Sequence, residues 1–212
     1  MERARYKSVR QALPHLKVGD IVLVHSQGFL ISKLIRRLTK SYWSHVALVF
    51  EVVPNNSDYP DVLLIEALDQ GIEIHRIEHY LRKPKNYDLG IKRIPILNDA
   101  EREKFRGYFL DAVDTPYDYT RLFSYLFKNM ILRLFGQEIL NWFTKRMIDV
   151  DQFVCTTFAQ RAFYLAVSKE KREKVLMRPK EDRLNFLLQM EEITPKDYAV
   201  SPNAEWLCNP HH

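Results

Sequence analysis

Apolar and polar residues alternate with different periods along the chain, and each change of period marks an element. Residues 1 to 16 read as a short helical or irregular lead-in that ends near Pro14. Lys17-Val-Gly-Asp20 is a turn signal. It feeds Ile21 to Val24, a β-branched run short enough for a buried strand. From Phe29 to Leu38, Leu30, Leu34 and Leu38 recur at every fourth position while Lys33, Arg36, Arg37 and Lys40 take the other faces, which predicts a short basic amphipathic helix. Ser44 to Val53 alternates instead. His45, Ala47 and Val49 share one face of a strand, and Val46, Leu48 and Phe50 share the other. Beyond the turn Pro54-Asn-Asn-Ser-Asp58, the segments Val62 to Leu68, Gly71 to Ile77 and Asp88 to Ile96 read as further strands of an antiparallel meander.

The second half is helical. Asn98 followed by Glu101 is a capping-box-like start, and Phe105, Tyr108, Phe109 and Ala112 then fall at helical spacing until Pro116. Residues 120 to 147, dense in Leu, Phe, Ile and Trp, read as two helices hinged at Gly136. Residues 155 to 167 form another helix, which packs through Ala159, Ala162, Phe163 and Ala166. The tail from Ile193 carries Pro and Asn and is expected to wrap the surface. No internal repeat or boundary divides the chain. Residues 1–212 are therefore expected to form a single α+β domain with a helical insertion at about 120–147.

Composition narrows the chemistry. With 46% hydrophobic and 28% charged residues in 212, the chain is globular rather than disordered or collagen-like. Its six glycines are scattered, and the closest pair is Gly19 and Gly28. Neither G-x-G-x-x-G nor G-x-x-x-x-G-K-[ST] can be written, so the common backbone cradles for nucleotide phosphates are excluded. Two cysteines, Cys155 and Cys208, cannot build a disulfide scaffold or a Cys-rich zinc module. A net charge of +5 suits an anionic partner without identifying one. The basic residues are dispersed and match no recognition motif, so no nucleic-acid partner is expected. The longest run free of Asp, Glu, Lys and Arg, Ile21 to Ser32, is shorter than the roughly 18 residues of a membrane span. The charged start Met1-Glu-Arg-Ala-Arg-Tyr-Lys7 lacks a secretory pattern, and the expected location is cytoplasmic.

Cys155 sits where the hydrophobic Phe153-Val154 meets the start of a helix, and a thiol in a first helical turn feels the positive end of the backbone dipole. A thiolate nucleophile also needs a neighbouring base, for which histidine is suited. Of the seven histidines, His211 and His212 are terminal and His15 lies in the lead-in, whereas His45 stands on a strand face between Ser44 and the apolar run that follows. Glu66 can hold the other ring nitrogen. In a hairpin turning through 54 to 61, two registers set Glu66 opposite His45 or opposite Ala47, on the same sheet face either way. A carboxylate inside Leu64-Ile65-Glu66-Ala67-Leu68 needs such a partner. The residues alone are equally well explained by a His45–Glu66 pair that merely satisfies itself and a Cys155 that is one more small buried hydrophobe.

Val18-Gly-Asp-Ile-Val22, Trp43-Ser-His-Val-Ala47, Ile65-Glu-Ala67, Pro116-Tyr-Asp118, Val154-Cys155 and the closing Ile193-Thr-Pro-Lys-Asp197 with Ser201-Pro202, taken in order, resemble one known group. These are the circularly permuted papain-like proteins, the YiiX-type branch of the NlpC-type cysteine hydrolases. The resemblance runs from about residue 17 to 203. It implies a permuted papain-like fold in which an antiparallel sheet packs against the helix carrying the cysteine. It further implies Cys155 as nucleophile, His45 as general base and acid, Glu66 as the residue that orients His45, and the Cys155 backbone N–H as an oxyanion donor. Ser44, Tyr117 and Thr156, beside the matched motifs, are the expected substrate contacts. The implied reaction is hydrolysis of an amide in a small peptide or amino-acid conjugate through an acyl-enzyme, with no metal or organic cofactor. Two departures stand out: Val154-Cys155-Thr156-Thr157 replaces the group's aromatic-Cys-Ser-Glu pattern, and segment 120–147 is longer than usual.

Other readings compete. His75-Arg-Ile-Glu78-His79 matches the helical zinc pattern H-x-x-E-H, but Ile72, Ile74 and Arg76 alternate as in a strand, so two solvent-facing histidines are expected at a strand end. The apolar and basic segments 29–40 and 120–147 suit peripheral contact with an anionic membrane. That would favour thiol-dependent hydrolysis or transfer of a lipid acyl group, as in the related lecithin retinol acyltransferases. A non-catalytic module that binds an anionic surface is the third alternative.

Overall fold

The computed structural model describes residues 4–28, 30–54, 61–68, 71–114, 151–178 and 193–210. A short helix α1 (Val9–Ala12), capped by the Ser8 hydroxyl, runs into a 3-10 turn at Leu13–His15. There follow β1 (Ile21–Ser26), α2 (Leu30–Thr39), β2 (His45–Val53), β3 (Asp61–Leu68), β4 (Gly71–Arg76), α3 (Glu78–Leu81) and β5 (Tyr87–Arg93). The chain continues with α4 (Asp99–Asp114), α5 (Asp151–Ala166), a 3-10 segment at Lys169–Val175, α6 (Pro195–Val200) and β6 (Glu205–Cys208). The expected insertion at 120–147 lies outside the described residues.

The strands form one antiparallel sheet in the order β4-β3-β2-β1-β5-β6. Of the four strands expected to form a meander, only β2 to β4 do so, and β1 pairs with the free side of β2. β5 crosses back to pair with β1, Leu23 opposite Gly90, instead of adding to β4. The tail also departs from expectation. It first forms α6, closed by a reciprocal Thr194–Asp197 capping box, and then supplies the sixth strand beside β5. This placement buries Tyr198, Leu207 and Cys208.

Alternation along the strands makes two cores. One face carries Ile21, Leu23, Val46, Leu48 and Ile65, and α4 and α5 cover it with Phe105, Phe109, Phe158 and Phe163. Phe105 stacks on Phe163 with ring centroids 4.6 Å apart. The other face carries Val22, Val24, Ala47, Val49, Leu64 and Ile91, covered by Ala12, Leu13 and Leu16 near the N-terminus and by Tyr80 of α3. The sheet is thus buried on both sides, and its polar residues must pair within it.

Asp20, fully buried just before β1, accepts from both Nε and Nη2 of Arg93, at 2.7 and 2.5 Å, and from the Lys17 amide. This fork ties the turn ahead of β1 to the end of β5.

Candidate active site

His45 is the first residue of β2, and the pairing of Leu48 with Ile65 and Val49 with Leu64 fixes what lies beside it. Carried one step on, this register sets Glu66 opposite Ala47 and diagonal to His45, on the same face. It is the second of the two registers expected. The small Ala47 side chain leaves room for the diagonal contact, and His45 Nε2–H donates to Glu66 Oε2. The imidazole is 4% exposed and the carboxylate 0%.

Glu66 has further partners. The Tyr80 hydroxyl of α3 donates to Oε2 at 2.7 Å, and His75 Nε2–H of β4 donates to Oε1. Burial by itself would raise the Glu66 carboxyl, but the two histidines and the Tyr80 hydroxyl outweigh it and hold the group below its ordinary value. Glu66 is therefore an acceptor-only carboxylate near neutral pH, and His45 must carry its proton on Nε2 to meet it. The lone pair of the neutral ring is then on Nδ1. That atom is buried and has no hydrogen-bond partner.

His75 corrects an expectation. It is not a solvent-facing histidine at a strand end: its side chain is 21% exposed and its Nε2 is engaged with Glu66. Since Glu66 pairs with Glu73 across the β3–β4 hairpin, His75 is the diagonal neighbour on the side away from His45. His79 belongs to α3, so the two histidines of the H-x-x-E-H match share no helix face. Period 2 in β4, with Ile72 packed on the helix side, was the available signal that His75 turns toward Glu66. Tyr80 carried no comparable signal, because α3 is a single short turn. Among the described residues, no three His, Cys, Asp or Glu side chains gather as a metal would require.

Cys155 comes on α5, which packs Phe158, Ala159, Ala162 and Phe163 against the sheet face opposite to that of His45 and Glu66. The direction of the helix is set by its contacts. Phe158 lines a gap of about 10 Å³ with Val46, Leu48, Ile65 and Glu66, whereas Phe163 packs at Gly19, before β1. The N-terminal half of α5 therefore lies over the His45 end of β2. The gap itself holds at most one water.

Helix α5 already includes Asp151, earlier than the sequence suggests. Cys155 thus stands one turn in. Its N–H falls within the helix's own i to i−4 ladder, so it is not one of the free N-terminal donors expected for an oxyanion.

Of the expected substrate contacts, Ser44 is fully buried, donating to the Val24 carbonyl at 3.2 Å and accepting from the Ser26 amide. Thr156 is fully buried too, and its hydroxyl donates to the Ile193 carbonyl at 2.6 Å. Tyr117 lies outside the described residues. Cys208, in β6, is buried, and burial pushes its thiol up to about 11. No described helix is long and apolar enough to cross a membrane.

No curated protein matches this chain. The Peptidase_C92 family, described as "Permuted papain-like amidase enzyme, YaeF/YiiX, C92 family", matches residues 15–205. That range takes in β1 to β5, the His45–Glu66 pair and the helix bearing Cys155, and the chain accordingly belongs to this family of permuted papain-like amidases.

Proposed function

We propose that the amidase reaction is nucleophilic catalysis by Cys155, with His45 as general base and acid and Glu66 as the group that orients His45. The observation that carries this reading is the state of the His45 ring. Nε2 is tied to a buried, ionised carboxylate, and Nδ1 is buried with no hydrogen-bond partner. A histidine that only completed the core would leave an unsatisfied polar atom there, at a cost of about 1–3 kcal/mol. A histidine awaiting a thiol proton requires that atom to be open.

The reading requires Cys155, carried on the helix over the other sheet face, to meet His45 past the start of β2; there His45 Nδ1 takes the Sγ proton of Cys155, and the thiolate adds to the carbonyl carbon of the amide. The tetrahedral adduct collapses with loss of the C–N bond, and His45 returns the proton to the departing amine. Water then adds to the thioester with His45 again as base, releasing the acid and restoring the thiol. One turn into α5 the helix dipole has largely faded, so thiolate formation rests on His45 rather than on the helix. The proposed substrate is a small peptide or an amino-acid conjugate.

Incubating the full chain with separate mixtures of short peptides, amino-acid conjugates and acyl lipids, then weighing the intact protein and its peptides, tests this directly. An acyl adduct on Cys155 from peptides or conjugates, absent in Cys155→Ala, is the expected result. Adducts formed only from the acyl lipids would replace the amide substrate by a lipid ester. Turnover undiminished in Cys155→Ala would overturn the mechanism.

A further inference from the structure

Glu66 is one carboxylate with three donors from three elements: His45 from β2, His75 from β4 and Tyr80 from α3. Only His45 has an open nitrogen. The other two donors act on the carboxylate itself. His75 occupies Oε1, which leaves Oε2 to His45, and the Tyr80 hydroxyl reaches Oε2 at 2.7 Å. A carboxylate held at both oxygens cannot rotate about its last bond, so the direction in which it presents Oε2 to His45 is fixed.

His75 is itself held. Its ring lies 5.6 Å from that of Tyr80 and 5.3 Å from that of His79, centroid to centroid, and Tyr80 packs edge-on against Tyr87 of β5 at 4.9 Å. The two donors to Glu66 therefore brace one another, and Tyr87 of β5 braces Tyr80.

Building on the reading of His45 as the base, we propose that His75 and Tyr80 are positioning residues of the reaction, acting through Glu66. They lock the carboxylate on His45 Nε2 and so keep the neutral imidazole in the tautomer whose lone pair is on Nδ1. Without them Glu66 can turn, Nε2 loses its fixed acceptor and the ring divides between two tautomers. Proton transfer from the thiol then slows, while substrate affinity does not change.

The test uses the full-length protein with His75→Ala, His75→Gln and Tyr80→Phe. Two readouts are taken: the ¹⁵N shifts of the His45 ring, which distinguish the tautomers, and the rate at which iodoacetamide alkylates Cys155 near neutral pH. Expected are a single Nε2–H tautomer in the wild type, a mixture in His75→Ala, and alkylation about tenfold slower. His75→Gln, which keeps an N–H aimed at Oε1, should recover much of both, and Tyr80→Phe should be intermediate. Should His75→Ala unfold, the Gln and Phe variants still decide the matter. An unchanged His45 tautomer in every folded variant would overturn the positioning role, whatever the alkylation rate. The two proposals fail separately: a wrong assignment of Cys155 would leave the tautomer shifts intact, and a wrong assignment of His75 and Tyr80 would leave Cys155 faster than Cys208.

Discussion

Trp43 closes over Gly90 so tightly that a Cβ at position 90 would stand 2.7 Å from Trp43 Cη2, with Trp206 Cζ3 at 2.9 Å. Trp43 precedes the Ser44-His45 start of β2, so the backbone that carries His45 is anchored by an indole resting on a side-chain-free position of β5. Gly90→Ala should displace both indoles and destabilise the fold by about 1–3 kcal/mol. Thermal unfolding followed by tryptophan fluorescence checks this, and an unchanged Tm would refute the close packing.

The two thiols should differ sharply in reactivity. Cys208 is 1% exposed with its thiol raised to about 11. Less than roughly 0.1% of it is thiolate near pH 7.5, and its alkylation in the folded protein should be about a hundredfold or more slower than that of Cys155. His45→Ala should slow Cys155 by about tenfold or more without changing Cys208. Peptide mapping after timed exposure to iodoacetamide gives both rates, and equal rates would count decisively against Cys155 as nucleophile.

Glu66 makes acid stability a signature of the site. Its carboxyl is lowered on folding, so the unfolded chain binds that proton more tightly than the folded one. The resulting stabilisation is fully present above the ordinary carboxylate value and is lost as pH falls through the lowered one. Glu66→Gln should cost about 2–3 kcal/mol at neutral pH and show a shallower loss in acid. Urea unfolding between about pH 7 and pH 2.5 measures the slope. Parallel curves for the two proteins would show that Glu66 does not titrate with folding.

Lys92 is a buried cation with a structural task. Its ammonium donates to the carbonyls of Tyr198, Ala199 and Ser201, at 3.0, 2.9 and 2.9 Å, and so closes the C-terminal end of α6. Lys92→Met retains the length of the side chain but removes the donors, and about 3 kcal/mol should be lost. Hydrogen exchange should quicken first over 195–208. If protection there were unchanged, the cap would be dispensable.

Much of the frame was legible because strand and helix periods are local properties. The alternation of His45, Ala47 and Val49 against Val46, Leu48 and Phe50 places His45 on a face before any partner is known. The period of 2 also puts Glu66 on that face in either of two hairpin registers. Cys155 was singled out by its sequence neighbours, but α5 starts a turn earlier than they suggest. Helix ends are set by capping and packing outside the apolar stripe.

Pairing between distant segments was beyond any local pattern. That β5 returns to β1, and that the tail becomes β6, depends on which edge offers a matching apolar face once the chain has collapsed. Glu66 likewise reads in the sequence as a residue in need of one partner, and the fold gives it three. By itself the sequence determined the first five strands, the long helices that cover the sheet and their buried faces, and singled out candidates for the chemistry, because these follow from residue type and backbone period. Only the tertiary structure decided that His75 and Tyr80 meet Glu66 and that His45 keeps Nδ1 open, because those contacts arise where three separate segments converge on one buried carboxylate.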